Sequence, residues 1–285
     1  MLAIEKKTKT NNVKISPSKI FLYVLLILLA VICFVPFYIM IINATHTNGE
    51  VASKIWLTPG TALMSNYHRL TQNTNIWRGF FNSVFLAVAT TVVSGYFSAL
   101  TAYGFSRYKF KGSKALYAVV LGTMMIPGQL GLIGFYQLVV KIGMANSYLP
   151  LILPAMANAS SVFFIKGFTD GAVNKSLIEA ARIDGCSEFA IFNKIALPLM
   201  SPAIATMSIF TFIGTWNSYL VPLIILTDMN KYTLPIMQVV AKGVYATDYG
   251  AIYVCITISV VPIMLAFAFM SKKIVGGLTI GGVKG

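Results

Sequence analysis

Long apolar stretches separated by short polar clusters set the pattern of this chain. A helix needs about 20 mainly apolar residues to cross a hydrocarbon core of roughly 30 Å, so windows of that length free of Asp, Glu, Lys and Arg mark candidate spans. Six windows qualify: Ile20 to Ile42, Phe80 to Ser106, Ala115 to Val140, Ser147 to Ile165, Ile195 to Thr227 and Tyr249 to Ser271. The third and fifth are long enough to tilt or to include interfacial ends. Pro127 with Gly128, midway through the third, predicts a kink or an interruption there. The pattern predicts an all-α membrane protein with six transmembrane helices.

Composition agrees. The 285 residues are 57% hydrophobic and 11% charged, with a mean hydropathy of +0.76, whereas a soluble domain is roughly a quarter charged. A net charge of +14 raises the question of nucleic acid, and its distribution answers it. With the N-terminus in the cytoplasm, the inner segments hold Lys6, Lys7, Lys9, Lys14, Lys19, Arg107, Lys109, Lys111, Lys114, Lys166, Lys175, Arg182, Lys194, Lys272, Lys273 and Lys284. The outer segments hold only Lys54, Arg69, Arg78, Lys141, Lys231 and Lys242. This is the positive-inside asymmetry of a six-span protein in the cell membrane with both ends in the cytoplasm. No aromatic-interleaved basic patch points to nucleic acid. The expected layout is a tail over 1–19, a first span and outer loop over 20–75, a core membrane domain over 76–271, and a second tail over 272–285. The first apolar run is too long for a secretory h-region and lacks a small-x-small cleavage site, so it reads as a retained anchor. Cys33, Cys186 and Cys255 form no disulfide or metal pattern.

The chain offers no chemistry of its own. No phosphate-cradling G-x-x-x-x-G-K-[ST] string is present, and His46 and His68 belong to no H-E-x-x-H motif. No G-x-S-x-G nucleophile string accompanies them. Catalytic residues and metal ligands are therefore expected to be none. The spans lack ionisable residues, which counts against an ion-coupled carrier. Energy for any work is expected from a partner.

The polar loop between the fourth and fifth windows, 170–198, holds Asp170, Glu179, Asp184 and Glu188, four of the chain's eight acidic residues. Ser176 with Glu179 three residues on matches a capping box, predicting a helix over Leu177 to Ile183. Gly185 suits the left-handed residue that ends it, and Asp184 or Ser187 can cap a second short helix through Phe189 and Phe192. Pro198 and Pro202 are expected in the first turn of the fifth span. Physical chemistry alone equally allows an amphipathic connector lying on the membrane surface.

The residues themselves carry a resemblance. "EAARIDGCSEFAIFNKIALPLMSP", from Glu179 to Pro202, resembles the EAA loop of binding-protein-dependent ABC importer permeases, with Cys186 where alanine is usual. "IPGQLGLIGFYQLVVKIGMANSYLPLILP" from Ile126, "WNSYLVPLIIL" from Trp216 and "GLTIGGVKG" from Gly277 are similar to the maltose-type, carbohydrate-uptake branch; Gly128 and Gly134 depart from its pattern. The resemblance implies the type I importer permease fold, with two short cytoplasmic coupling helices. It implies that Glu179, Ala180, Ala181, Asp184, Gly185, Phe192 and Pro198 serve contact with a cytoplasmic ATPase dimer. ATP and Mg would then be bound by that partner, with no cofactor in this chain. The implied company is a second homologous permease, an extracytoplasmic sugar-binding protein reached through the outer loop Asp228 to Asp248, and membrane lipid. The tail Leu278 to Gly285 is implied to reach the ATPase as well.

Uncharged polar and aromatic residues in the spans suit a neutral polyol, whose hydroxyls need amides and whose C–H faces stack on rings. Gln129, Asn158, Trp216, Asn217 and Tyr219 are the candidates, beside Ser160, Ser161 and Thr215. The same residue types also join membrane helices. Ala87, Thr91, Gly95 and Ala99, at four-residue spacing, predict a close helix–helix contact. The expected function is the membrane subunit of an ATP-driven sugar importer. An ABC permease for a non-sugar solute and an ion-coupled carrier are the alternatives.

Overall fold

The computed structural model describes residues 17–244 and 248–282, and all its regular structure is helical. Helix α1 covers Pro17–Asn43, short α2 covers Asn48–Ser53, α3 Leu63–Asn73 and α4 Ile76–Arg107. After a turn at Gly112, φ +85°, α5 runs over Ser113–Thr123 and α6 over Leu132–Lys141. Next come α7 (Leu149–Ile152), α8 (Ala159–Ala172), α9 (Lys175–Ile183), α10 (Glu188–Ile191) and α11 (Leu197–Trp216). Helices α12 (Leu220–Ile225), α13 (Leu234–Val244) and α14 (Tyr249–Gly282) complete the order.

Each of the six apolar windows falls on helix, but not on six plain rods. Among the described residues four helical stretches are long and apolar enough to cross a membrane: 17–43, 76–107, 149–172 and 188–216. A fifth candidate is the α5–α6 pair, bent by 91°, and a shorter apolar helix, Tyr249–Leu265, opens α14. The bend follows from Pro127, which has no amide to donate and forces its predecessor out of the helical region. The amides of Met124, Met125 and Ile126 fall back on carbonyls three residues earlier, and a 3-10 turn over Gly128–Gly131 starts the new direction. The fourth window extends beyond its expected end to Ala172, and Lys166 and Asp170, one turn apart on the added length, pair at 2.9 Å. The fifth ends early, at Trp216, and its remainder folds as the separate helix α12.

Helix α4 is the central element, packed against α8 and α11. Its small residues make this possible: Ala87, Ser94, Ser98, Ala99 and Ala102 are fully buried, and a Cβ on Gly95 would come within 3.3 Å of Ile204. The stripe thus packs within the chain. By contrast α1 is apolar and exposed along nearly its whole length, an arrangement suited to lipid.

At the end of the bundle carrying α2 and α3, polar groups lock the connections. Buried Asn66 donates to the carbonyls of Ala44 and His46, both at 2.8 Å, and accepts from Arg69. Asn146, in the left-handed region at φ 56°, accepts from the amides of Thr227 and Asp228 and its carbonyl receives Lys231 Nζ. The segment expected as a polar outer loop, Asp228 to Asp248, is instead anchored by helix α13, whose Leu234, Ile236 and Met237 are buried. Residues 245–247 of that segment, the N-terminal tail to residue 16, and the tail's last residues, 283–285, lie outside the described residues.

Arg69 Nε donates to Asp248 at 2.6 Å and joins α3 to the start of α14. Burial would raise the Asp248 carboxyl, but the bond from Arg69 outweighs it, aided by the Ala251 amide, and holds it below its ordinary 3.8. A depressed carboxyl stabilises the fold above its unfolded value, and that contribution is lost as pH falls through the native value. Asp248→Asn should therefore lower the melting temperature of the purified protein at pH 7, with the difference from the unaltered chain shrinking at and below about pH 4. A difference that grows on acidification would contradict this assignment.

Candidate functional site

The loop at the opposite end is built from local rules. Asn174 caps α9, its Oδ1 accepting from the Ser176 amide at 3.2 Å. The expected Ser176–Glu179 capping box does not form, because the helix begins two residues earlier, at Lys175, and puts Ser176 inside its first turn. At the other end the Cys186 amide reaches the Ala181 carbonyl and the Gly185 amide that of Arg182, both at 3.0 Å, with Gly185 at φ +80°. This is the Schellman closure that a glycine makes at least cost. Ser187 then caps α10, accepting from the Ala190 amide at 3.3 Å.

The second loop helix is not free-standing. It continues through a π turn over Phe192–Ala196, where the Leu197 amide bonds the Phe192 carbonyl, into α11. The widened turn lies just ahead of Pro198, whose ring would crowd a carbonyl four residues back in a regular helix. Pro202 therefore lies inside a long helix, not in its first turn.

The seven loop residues divide by face. Glu179, Ala180, Asp184, Gly185 and Pro198 are exposed. Ala181 is 6% exposed and Phe192 1%, so these two pack inward and cannot meet a partner directly. Phe192 sits between the rings of Tyr96 and Tyr103, with centroids 5.7 and 5.5 Å away. Ile178 and Ala181 of α9 pack into the same cluster. Glu188 closes the assembly: Arg182 donates to it twice, at 2.6 and 3.2 Å, and the Tyr108 hydroxyl donates to it from the end of α4. Burial and this bond push the Tyr108 hydroxyl well above its ordinary 10, so it remains a donor at physiological pH. Outside, Ile183 and Phe189 are 87% and 67% exposed, an apolar edge beside Glu179.

Of the five candidate pathway residues, Asn158, Trp216 and Asn217 border cavities around the far half of α11. A groove of ≈ 470 Å³ opens at the α5–α6 bend, lined by Leu86, Gly128, Phe135, Thr215 and Ser218 among others. It shares Gly214 and Thr215 with a second cavity of ≈ 350 Å³ that includes Asn158 and Ser160. Trp216 and Asn217 border a third, of ≈ 220 Å³, with Gln238 and Ser259. Trp216 is 2% exposed and donates Nε1 to the Ser259 carbonyl at 3.1 Å, so its ring is packing first and wall second. Gln129 is exposed in the 3-10 turn and lines none of these cavities, and neither does Tyr219, which packs against Val139 and Ile225. Thr90, Thr211 and Ser218 line the two larger cavities without having been singled out; Thr211, Thr215 and Ser218, at helical spacing in an apolar run, were the readable sign.

The chain is thus a helical membrane protein with an exposed polar loop seated on its central helices. Residues 91–276 match the binding-protein-dependent transport system inner membrane component family, and the chain belongs to it. It is 36% identical over 228 residues to the arabinooligosaccharides transport system permease protein AraQ of Halalkalibacterium halodurans, covering 80% of this chain and 81% of that one. The AraQ of Bacillus subtilis is 32% identical across 96% of this chain and 99% of its own length. The polygalacturonan/rhamnogalacturonan transport system permease protein YtcP of the same organism is 33% identical across 93% and 97%. A chain from the crystal structure of a bacterial ABC transporter that imports the acidic polysaccharide alginate superposes with a TM-score of 0.75 over 90% of this chain, at 22% identity, and so shares the fold.

The facing assignment has a direct test. Phe192→Ala removes a fully buried ring and should cost about 3–5 kcal/mol, whereas Ala180→Val on the open face should change stability by less than about 0.5 kcal/mol. Thermal unfolding of the two purified variants measures both, and a loss in Ala180→Val as large as that in Phe192→Ala would contradict the facing assignment.

Proposed function

We propose that this chain is one of two permease subunits of an ATP-driven importer of a sugar or oligosaccharide, with both termini and α9 in the cytoplasm. The observation that carries the reading is the exposed face of α9. Glu179, Ala180, Asp184 and the Gly185 turn stand free of the chain's own core, while Ile178, Ala181 and Phe192 bind the same helix to α4 and α11. Such a helix is held on one side and available on the other. A partner that grips the open side moves the membrane helices with it.

In this reading the grip belongs to a cytoplasmic ATPase dimer, which binds the ATP and Mg. Glu179 makes a charge-assisted contact to it, Ala180 keeps the approach close, and the apolar edge of Ile183 and Phe189 is covered. A second permease encloses the substrate path, and an extracytoplasmic sugar-binding protein delivers the ligand at the end carrying α2, α3 and α13. The relatives' names support a carbohydrate cargo.

Glu179→Ala should lower uptake by about tenfold or more, on the scale of removing an interface anchor. Gly185→Pro should abolish it, since proline cannot adopt φ +80°. Membrane insertion and subunit level stay near normal in both, as quantitative immunoblots of membranes would record. Normal uptake in both variants would remove the loop from the coupling role.

A further inference from the structure

The middle of a bilayer is a costly place for an unpartnered hydroxyl or amide, yet the cavity at Thr215 gathers several. Thr90 lies near the midpoint of α4, lines this cavity, and has a buried Oγ1 without a hydrogen-bond partner. Asn158 and Ser160 lie near the midpoint of the 149–172 span. The hydroxyls of Ser160 and Thr215 enter no hydrogen bond among the described residues. Thr211 donates to the Met207 carbonyl at 3.0 Å, which leaves its oxygen able to accept. Asn158 uses Oδ1 on the Ser161 amide at 3.0 Å and keeps its Nδ2 donors. The backbone is itself interrupted at Asn158, with ψ 95°. Non-helical backbone at membrane depth is tolerated where it is buried in protein or lines a water-filled cavity, and Asn158 lines this one.

Charge then selects the ligand class. Among the described residues, neither this cavity nor the adjoining one at Leu86 has Asp, Glu, Lys, Arg or His in its lining. A uronate oligomer carries a carboxylate on each sugar, and a buried carboxylate needs Arg or Lys to replace its lost water. The start of α8, where an anion would otherwise find amides, is already capped by Asn158. Phe210, 62% exposed, adds an aromatic face for sugar C–H groups. We propose that α4, α8 and α11 form a subsite for a neutral oligosaccharide, whose hydroxyls exchange hydrogen bonds with Thr90, Asn158, Ser160, Thr211 and Thr215, and which rejects uronates. The proposal rests on the reading of the chain as a sugar importer and goes beyond it in placing part of the selection in this subunit.

The test uses the full transporter with its binding protein in proteoliposomes. In a chain with Cys33, Cys186 and Cys255 replaced by alanine, Thr215→Cys and Ser160→Cys are labelled separately with a small polar maleimide. Arabinotriose and raffinose serve as neutral probes and trigalacturonate as the acidic one. At least one neutral probe should slow labelling at both positions by about tenfold, and trigalacturonate should leave it unchanged. Equal labelling under all conditions, or equal protection by trigalacturonate, overturns the subsite. Uptake of the probes by the unaltered complex separates the two levels. Uptake of a neutral sugar without protection defeats the subsite alone, whereas no uptake of any sugar defeats the importer reading and the subsite with it.

Discussion

One continuous helical path, from Glu188 through the π turn to Trp216, joins the loop at one end of the protein to the cavities at membrane depth. At about 1.5 Å per residue it spans on the order of 40 Å. Its position depends on α4, whose Ala99, Ala102 and Gly95 let the two backbones approach, and on Phe192 held between Tyr96 and Tyr103. A side chain larger than these would push the helices apart. The loop would then lose its seat and the groove its wall.

This arrangement lets a membrane chain take part in active transport when the drive comes from a partner, as proposed above. Closely packed interiors transmit displacement because they have little free volume to absorb it. Arg182, Glu188 and Tyr108 bind α9, α10 and the end of α4 into one unit. In the proposed reading a shift of α9 carries with it α4 and α11, the two helices that bear Thr90, Thr211 and Thr215. Tight coupling at the loop and open polar space at the groove are complementary properties of the same pair of helices.

Much of this was legible in the residues. The apolar windows located the spans, Pro127 marked the break, Gly185 marked the left-handed turn and Ser187 the cap, because each depends on local backbone chemistry. What depends on neighbours was not legible. Asn174, next to the buried Val173, takes the place of Ser176 as the cap. Ala181 and Phe192 belong to a motif read as a partner surface, yet only the packed fold shows that they face inward. The merger of α10 with α11 escaped because Pro198 reads as a helix start until a π turn accommodates it. Thr90 lies among the small residues of α4, where a hydroxyl reads as packing, and only the adjacent cavity distinguishes it.

In the proposed mechanism this membrane chain is driven by a nucleotide-hydrolysing partner through α9. This is tested most directly by purifying the tagged protein from its native membrane in mild detergent, identifying the chains that copurify by mass, and measuring ATP hydrolysis with and without binding protein and sugar. The account predicts recovery of a second permease and a nucleotide-binding subunit, with hydrolysis stimulated by the loaded binding protein. A chain that purifies alone, hydrolyses no ATP and still transports solute in liposomes would contradict it.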